Sequence, residues 1–171
     1  MELKQFIRIE ENFPREGVSF KDVSPLLENP EAFAETIARM KAIAEEWKPD
    51  IIVGPESRGF LFGAPLALAM NKGFLMARKA GKLPGKRLSV TYDLEYGTAT
   101  IEIPAFAVSK GTRVLIVDDL LATGGTVQAL EKLFREAGAE VVGTITLIEL
   151  TSFRGRDHLS APFKALIEFP R

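Results

Sequence analysis

A chain of 171 residues, 46% hydrophobic and 26% charged, has the composition of an ordinary globular domain with room for a sizeable core. Its formal net charge of −1 excludes the basic field that nucleic-acid binders use, and zero cysteines exclude disulfides, thiol catalysis and cysteine-ligated metals. No apolar stretch reaches the length of a membrane span, and the opening MELKQFIRIE lacks the basic start and apolar body of a secretory signal, so a cytoplasmic protein that binds neither nucleic acid nor membrane is expected.

Taken in chain order, residues 1–10 are predicted to form a short amphipathic helix, with Leu3, Phe6 and Ile7 on one face. Turns are predicted at Phe13–Gly17 and Lys21–Pro25. Asn29-Pro30 opens a helix to about Trp47, with Phe33, Ile37, Met40, Ile43 and Ala44 as its inward stripe, and Lys48-Pro49 stops it. Asp50–Gly54 reads as a buried strand, Gly59–Met70 as an apolar helix and Phe74–Ala77 as a further strand. A basic, glycine-containing stretch from 79 gives way to hairpin-like alternation: Leu88, Val90, Tyr92, Leu94, then Thr98, Thr100, Glu102. Val114–Val117 is a buried strand, Val127, Leu130, Leu133 and Phe134 mark a helix, Val141–Leu150 is strand-like, and Ala165–Ile167 forms a short last strand. There is no repeat, low-complexity tract or linker, so residues 1–171 are read as one domain. Helices alternating with short buried strands predict an α/β fold, a parallel-sheet core covered by helices. Active sites in such sheets lie at the carboxyl ends of strands, where the loops after Val53 and Val117 fall. Trp47, Phe33, Phe60 and Phe62 sit at helical core positions. His158, the one histidine, has no serine elbow or metal-ligand spacing around it and reads as incidental.

The most informative segment is Val114–Thr126, VLIVDDLLATGGT. An apolar strand ends in Asp118 and Asp119, then in a small-residue turn, Ala122-Thr123-Gly124-Gly125-Thr126, that opens a helix. Glycine lets the backbone approach an anion, free N–H groups at the helix start point at it, and the helix dipole favours negative charge. The acid pair would repel a phosphate, so it faces something else: sugar hydroxyls or a metal. Neither common nucleotide-loop pattern fits. A turn for a 5-phosphate beside two acids for the 2- and 3-hydroxyls describes a ribose 5-phosphate cradle. A second strand end, Gly54-Pro55-Glu56-Ser57-Arg58-Gly59-Phe60, offers turn amides and, in Arg58, a planar fork suited to phosphate oxygens. A third stretch carries Arg78, Lys79, Lys82, Lys86 and Arg87 around Gly81 and Pro84-Gly85. It reads as a solvated loop, a nucleic-acid patch, or a mobile lid that neutralises an anionic leaving group and excludes water.

These motifs resemble the type I phosphoribosyltransferases, whose binding motif for phosphoribosyl pyrophosphate (PRPP) matches Asp118–Thr126. Further matches, Phe13–Asp22 (FPREGVSFKD), Ser57–Gly63 (SRGFLFG), Arg78–Gly85 (RKAGKLPG), Asp93–Gly97 (DLEYG) and Leu147–Arg156 (LIELTSFRGR), are similar to the adenine-using branch and run nearly end to end. The resemblance implies a parallel-sheet core with a small N-terminal hood, about 1–30, and a flexible β-hairpin lid, about 79–103. It implies a purine-salvage transfer of the 5-phosphoribosyl group from PRPP to adenine, giving AMP and pyrophosphate, with Mg²⁺ held by PRPP and reached by Asp118 and Asp119 through water. Asp118 and Asp119 would take the ribose hydroxyls, and Ala122, Thr123, Gly124, Gly125 and Thr126 the 5-phosphate. Pyrophosphate would fall to Glu56, Ser57 and Arg58, whose loop is expected to hold a non-proline cis peptide at Glu56-Ser57, together with Arg78, Lys79 and Lys82. The catalytic set would be Glu95 for proton transfer, with Arg58 and, secondarily, Tyr96. Adenine would be read by main-chain groups of Ser19 and Lys21, and its ring held between Phe20 and Leu120. A homodimer with Arg78 near the partner's site is the family expectation. Two alternatives stay open: a different purine base, kept alive by Lys21, and a non-catalytic PRPP sensor.

Overall fold

The computed structural model describes residues 1–94 and 96–171. Strands β1 (Arg8–Glu11) and β2 (Ser19–Asp22) pair antiparallel as a small separate sheet, followed by helices α1 (Ser24–Glu28) and α2 (Pro30–Trp47). The chain continues through β3 (Ile51–Pro55), α3 (Arg58–Met70), β4 (Gly73–Lys79), the hairpin β5 (Arg87–Asp93) and β6 (Thr98–Pro104), β7 (Arg113–Leu121), α4 (Gly125–Glu136), β8 (Glu140–Leu150) and β9 (Phe163–Phe169). The main sheet runs in the order β5-β6-β4-β3-β7-β8-β9. Its five strands from β4 to β9 are mutually parallel, and the hairpin joins its edge antiparallel through Arg78↔Glu102 and Lys79↔Ile101. The expected α/β fold is therefore present, with the expected β-hairpin built onto the sheet. No helix among the described residues is long and apolar enough to cross a membrane.

The period-two geometry of β7 splits the core. Leu115 and Val117 pack with α2 and α3 on one face, beside Met40, Phe62 and Leu66. Val114 and Ile116 pack with α4 on the other, beside Leu130 and Phe134. All four β7 side chains are fully buried, which is why that strand reads as a continuous apolar run.

Three expectations are corrected. Residues 1–10 form one 3-10 turn, Leu3–Phe6, and then β1, because a single turn suffices to bury Leu3 and Ile7 before the chain pairs with β2. Lys21–Pro25 is not a free turn: Lys21 and Asp22 belong to β2, and Asp22 Oδ1 accepts from the Ser24 amide (2.9 Å) as α1 begins, with Pro25 in its tolerated first turn. Helix α2 starts as predicted, Asn29 capping the Ala32 amide at 2.9 Å. Its innermost stripe, however, is Ala32, Thr36, Met40 and Ala44, while Phe33, Ile37 and Ile43 are only partly buried. Small side chains occupy the line of closest approach, and the Thr36 hydroxyl is satisfied by the Ala32 carbonyl at 2.8 Å.

Two glycines set the spacing on which the centre depends. A Cβ on Gly59 would lie 2.8 Å from Pro55 Cδ, 3.1 Å from the Val117 carbonyl and 3.2 Å from Asp118 Oδ1. A Cβ on Gly54 would lie 2.8 Å from the Gly59 carbonyl. The first turn of α3 thus sits directly on the end of β7 with no side chain between. Gly59→Ala should lower stability by about 1–3 kcal/mol by overpacking; thermal unfolding of the variant, compared with the parent, checks it, and an unchanged midpoint would mean the contact is loose.

Candidate functional site

β3 and β7 lie side by side in parallel register (Ile51↔Val114, Val53↔Ile116). The chain leaving β3 runs through α3 to β4 on one side, and the chain leaving β7 runs through α4 to β8 on the other. The two helices cover opposite faces, so a crevice opens between the carboxyl ends of the two strands, at the point where the winding reverses. The Glu56–Arg58 turn and the Asp118–Thr126 segment both emerge there. Parallel adjacency brings together two motifs that are sixty residues apart in sequence.

A pocket of about 670 Å³ occupies the β7 side of the crevice, lined by Asp118, Leu120 and every residue from Leu121 to Gln128, with Tyr92, Asp93, Leu94 and His158 facing them. All five predicted phosphate-turn residues, Ala122, Thr123, Gly124, Gly125 and Thr126, are in that lining. Gly124 has φ +84° and caps α4, a conformation that favours glycine, so the amides of the first helical turn open into the pocket. The lid hairpin touches this turn, Tyr92 Oη and Thr126 Oγ1 being 3.1 Å apart.

The acid pair is asymmetric. Asp119 is buried (6% exposed) and its Oδ2 forms an ion pair with Arg58, 2.9 Å from Nε, which joins the two motifs across the crevice. Asp118 lines the pocket, and its Oδ1 accepts from the Asp119 amide at 2.8 Å. Burial first, and then the Asp119 charge, push the Asp118 carboxyl well above the ordinary aspartate range, with Arg58 pulling the other way. A group held in that state gains by meeting hydroxyl donors or positive charge. Among the described residues no three acidic or histidine side chains converge as a metal cage. Two neighbouring carboxylates instead suit a magnesium ion that keeps its waters and takes its remaining oxygens from a substrate.

On the β3 side the Glu56-Ser57 peptide is cis, as expected. Glu56, with its side chain 9% exposed, gathers the basic stretch: Oε1 accepts from the Lys79 amide (2.7 Å) and Arg78 Nε (3.3 Å), and Oε2 from Lys82 Nζ (2.9 Å). These bonds hold its carboxyl down at about 2. Arg78, Lys79 and Lys82 are therefore collected beside the Glu56–Arg58 turn by its own acid. A second buried acid, Glu102, accepts from the Gly81 amide (3.1 Å), Arg87 Nε (3.1 Å) and Ser89 Oγ (2.6 Å), closing the base of the lid.

The remaining predicted residues lie on the hood and the hairpin tip. Ser19, Phe20 and Lys21 form β2. Lys21 is buried, its ammonium donates to Ser19 Oγ at 2.6 Å and lies 5.0 Å from the Phe169 ring centre, and burial lowers its pKa. Its side chain is thus engaged by Ser19 of the same strand and by Phe169 of β9. Phe20 stacks edge-on against Phe13, with ring centres 5.2 Å apart. Tyr96 is 84% exposed, and Glu95 lies outside the described residues. Half of the pocket lining, Tyr92, Asp93, Leu94, Leu121, Val127, Gln128 and His158, was not among the predicted site residues. Tyr92 was legible as part of the alternating hairpin face and Gln128 as a polar residue in the first turn of α4. His158 stands in the pocket wall rather than being incidental, and only the fold brings it there.

This fold with this crevice defines a phosphoribosyltransferase, and a family model described as a phosphoribosyl transferase domain matches residues 22–167. The adenine phosphoribosyltransferase of Gluconobacter oxydans is 48% identical over 169 residues, covering 99% of this chain and 94% of that protein. The crystal structure of the adenine phosphoribosyltransferase from Thermoanaerobacter pseudethanolicus superposes with a TM-score of 0.94 at 48% identity, covering 98% of both chains. The Saccharomyces cerevisiae enzyme, complexed with D-2,5-dideoxy-2,5-imino-altritol 1,6-bisphosphate and adenine, gives 0.92 at 43% identity, covering 96% of both. The chain belongs to the phosphoribosyltransferase family and, within it, to the adenine phosphoribosyltransferases.

The Glu56 cluster yields a pH prediction. A carboxyl held near 2, below its ordinary 4.5, contributes stability that is present above about 4.5 and lost as pH falls toward 2. Glu56→Gln should therefore unfold at lower temperature than the parent at pH 7, with the gap closing across that acid window. A gap independent of pH would contradict the ion-pair account.

Proposed function

We propose that this chain transfers the 5-phosphoribosyl group of PRPP to adenine in purine salvage, releasing pyrophosphate and leaving AMP. The observation that carries the reading is the pairing, in one crevice, of a glycine turn opening a helix with an acid pair whose Asp118 lines the same pocket, its carboxyl pushed up by burial and by Asp119. Anion and hydroxyl sites at that spacing suit a ribose 5-phosphate.

In this reading the turn Ala122–Thr126 holds the 5-phosphate through main-chain amides and the hydroxyls of Thr123 and Thr126. Asp118 and Asp119 hold the ribose hydroxyls. Arg58, half-exposed beside Asp119, turns its remaining guanidinium edge to the pyrophosphate, along with the amides of Glu56 and Ser57. Arg78, Lys79 and Lys82 complete that site from the lid, with Glu56 holding them in place. The C1–O bond breaks toward a cationic, oxocarbenium-like sugar, so positioning and fixed charge do most of the work. Magnesium, carried in with PRPP, would supply neutralisation of the departing pyrophosphate, and Asp118 and Asp119 would hold it through water.

Adenine enters between Phe20 and Leu120 and is read by the backbone of Ser19 and Lys21. The engagement of the Lys21 ammonium with Ser19 and Phe169 supports main-chain reading and leaves it ill placed to donate to a 6-oxopurine. Glu95 takes the purine proton, with Tyr96 as the lesser candidate for that step. The hairpin of residues 8–22 acts as part of the hood and residues 79–103 as the lid. We further infer a cytoplasmic homodimer with Arg78 near the partner's site; the exposed apolar side chains Leu61, Leu68 and Met76 on α3 and β4 offer a face for it.

The test is magnesium-dependent pyrophosphate release from PRPP with adenine, guanine, hypoxanthine and xanthine in turn. Release with adenine alone is expected; release with a 6-oxopurine overturns the base assignment, and PRPP binding without release moves the chain to a sensor. Arg58→Ala should lower turnover about a hundredfold, roughly 3 kcal/mol, as for loss of one preorganised donor; a loss under about threefold would remove Arg58 from the pyrophosphate site. Glu95→Gln should lower kcat with little change in the dissociation constant of PRPP, whereas unchanged kcat would refute its role in proton transfer.

A further inference from the structure

Behind the phosphate turn lies a segment, residues 151–162, to which the reaction assigns nothing. It makes two 3-10 turns, Thr151–Phe153 and Gly155–His158, before β9. Such a segment has little regular hydrogen bonding of its own, yet two buried acids hold it. Glu149, 3% exposed at the end of β8, receives both edges of the Arg156 guanidinium, Nε at 2.8 Å and Nη2 at 2.5 Å. The Arg156 guanidinium also lies 5.1 Å from the Phe163 ring centre. Glu131, 3% exposed on α4, accepts from the amides of Ser160 and Ala161, both at 2.9 Å.

What these acids hold touches the phosphate turn directly. Glu149 is the cross-strand partner of Leu121, the last residue of β7 before the turn begins. Between Glu149 and Arg156 the chain brings Gly155 under the turn. A Cβ on Gly155 would collide with the Ala122 carbonyl and come within 3.0 Å of the Thr123 carbonyl carbon, and a Cβ on Gly124 would stand 3.0 Å from the Gly155 carbonyl. Backbone rests on backbone, with no side chain to absorb a shift. His158, two residues on, lines the pocket itself. A displacement of Gly155 therefore passes to Ala122–Gly124, whose amides need a fixed direction to bind an anion.

We propose that Glu149 and Arg156 are positioning residues for the 5-phosphate turn: their bidentate ion pair sets Gly155 as the floor on which Ala122–Gly124 rests. The proposal relies on the PRPP reading of that pocket. Neither side chain touches substrate, and the effect is selective for the phosphate half of the site, because the Glu56 cluster with Arg78, Lys79 and Lys82 is held by its own bonds at the ends of β3 and β4.

The experiment compares the parent with Glu149→Gln/Arg156→Gln, which removes the ion pair without stranding one buried charge. Ribose 5-phosphate and pyrophosphate serve as separate probes of the two halves, each as an inhibitor against PRPP. Expected for the double variant is a rise of about tenfold to a hundredfold in the KM for PRPP and the inhibition constant of ribose 5-phosphate. The constant for pyrophosphate and the KM for adenine should stay within about threefold. Arg156→Lys, which keeps the charge but not the fork, should fall between parent and double variant. Equal weakening of both inhibitors, or no weakening, overturns the proposal. Should the double variant not fold, Gly155→Ala carries the same reading with the ion pair intact, and absence of the selective loss there overturns it. Failure of the parent to release pyrophosphate with adenine would instead overturn the reaction, a separate outcome.

Discussion

Two parallel strands, β3 and β7, lie side by side while the chains leaving them turn to opposite faces of the sheet, and the rest of the molecule is arranged around that reversal. It opens a crevice lined by two turns, and it aims the first helical turn of α4 into it. The spacing is held by Gly54 and Gly59, which let α3 settle on the end of β7 with backbone against backbone. Arg58, directly before Gly59, reaches Asp119 across the gap. Fold and site are thus one construction: the packing that buries Phe62 and Leu66 on one face and Leu130 and Phe134 on the other also fixes the distance between the two turns.

Buried carboxylates divide into two kinds. Glu56, Glu102, Glu131 and Glu149 each accept several hydrogen bonds, Glu131 and Glu149 from the segment before β9, Glu56 and Glu102 from β4, β5 and the loop between them. Each converts a flexible connection into a wall or hinge of the site, because a buried charge left unpaired would be costly. Asp118 is different. Burial and the adjacent Asp119 push its carboxyl up, and Arg58 only partly opposes them. Asp118 lines the pocket, whereas the satisfied acids belong to the scaffold.

Much of this was readable from residues alone. The run Val114–Val117 signalled a strand buried on both faces, Asn29-Pro30 a helix start, and DDLLATGGT a strand ending in acids before a glycine turn that opens a helix, since each rests on local rules of burial, capping and backbone freedom. The failures share a cause. Residues 1–10 carry a helical spacing of apolar positions, yet Leu3 and Ile7 need only one turn to reach the core, and pairing with Ser19–Asp22 then takes over. The buried stripe of α2 passes through Ala32 and Thr36 because close packing favours small side chains over the larger Phe33 and Ile37. His158 looked solitary because its neighbours at the pocket come from β5, β7 and α4.

The sequence by itself determined the class of fold and the two strand-end turns that meet in the crevice, because strand burial, glycine turns and acid pairs act over a dozen residues or fewer. Only the tertiary structure decided what those groups meet: that Arg58 spans to Asp119, that Glu56 pairs with Lys82, that Lys21 lies over the Phe169 ring, and that Gly155 lies beneath the Ala122–Gly124 turn. Each of these contacts joins residues on different elements of the chain, and whether a charge is paired or stranded depends on the burial that folding creates.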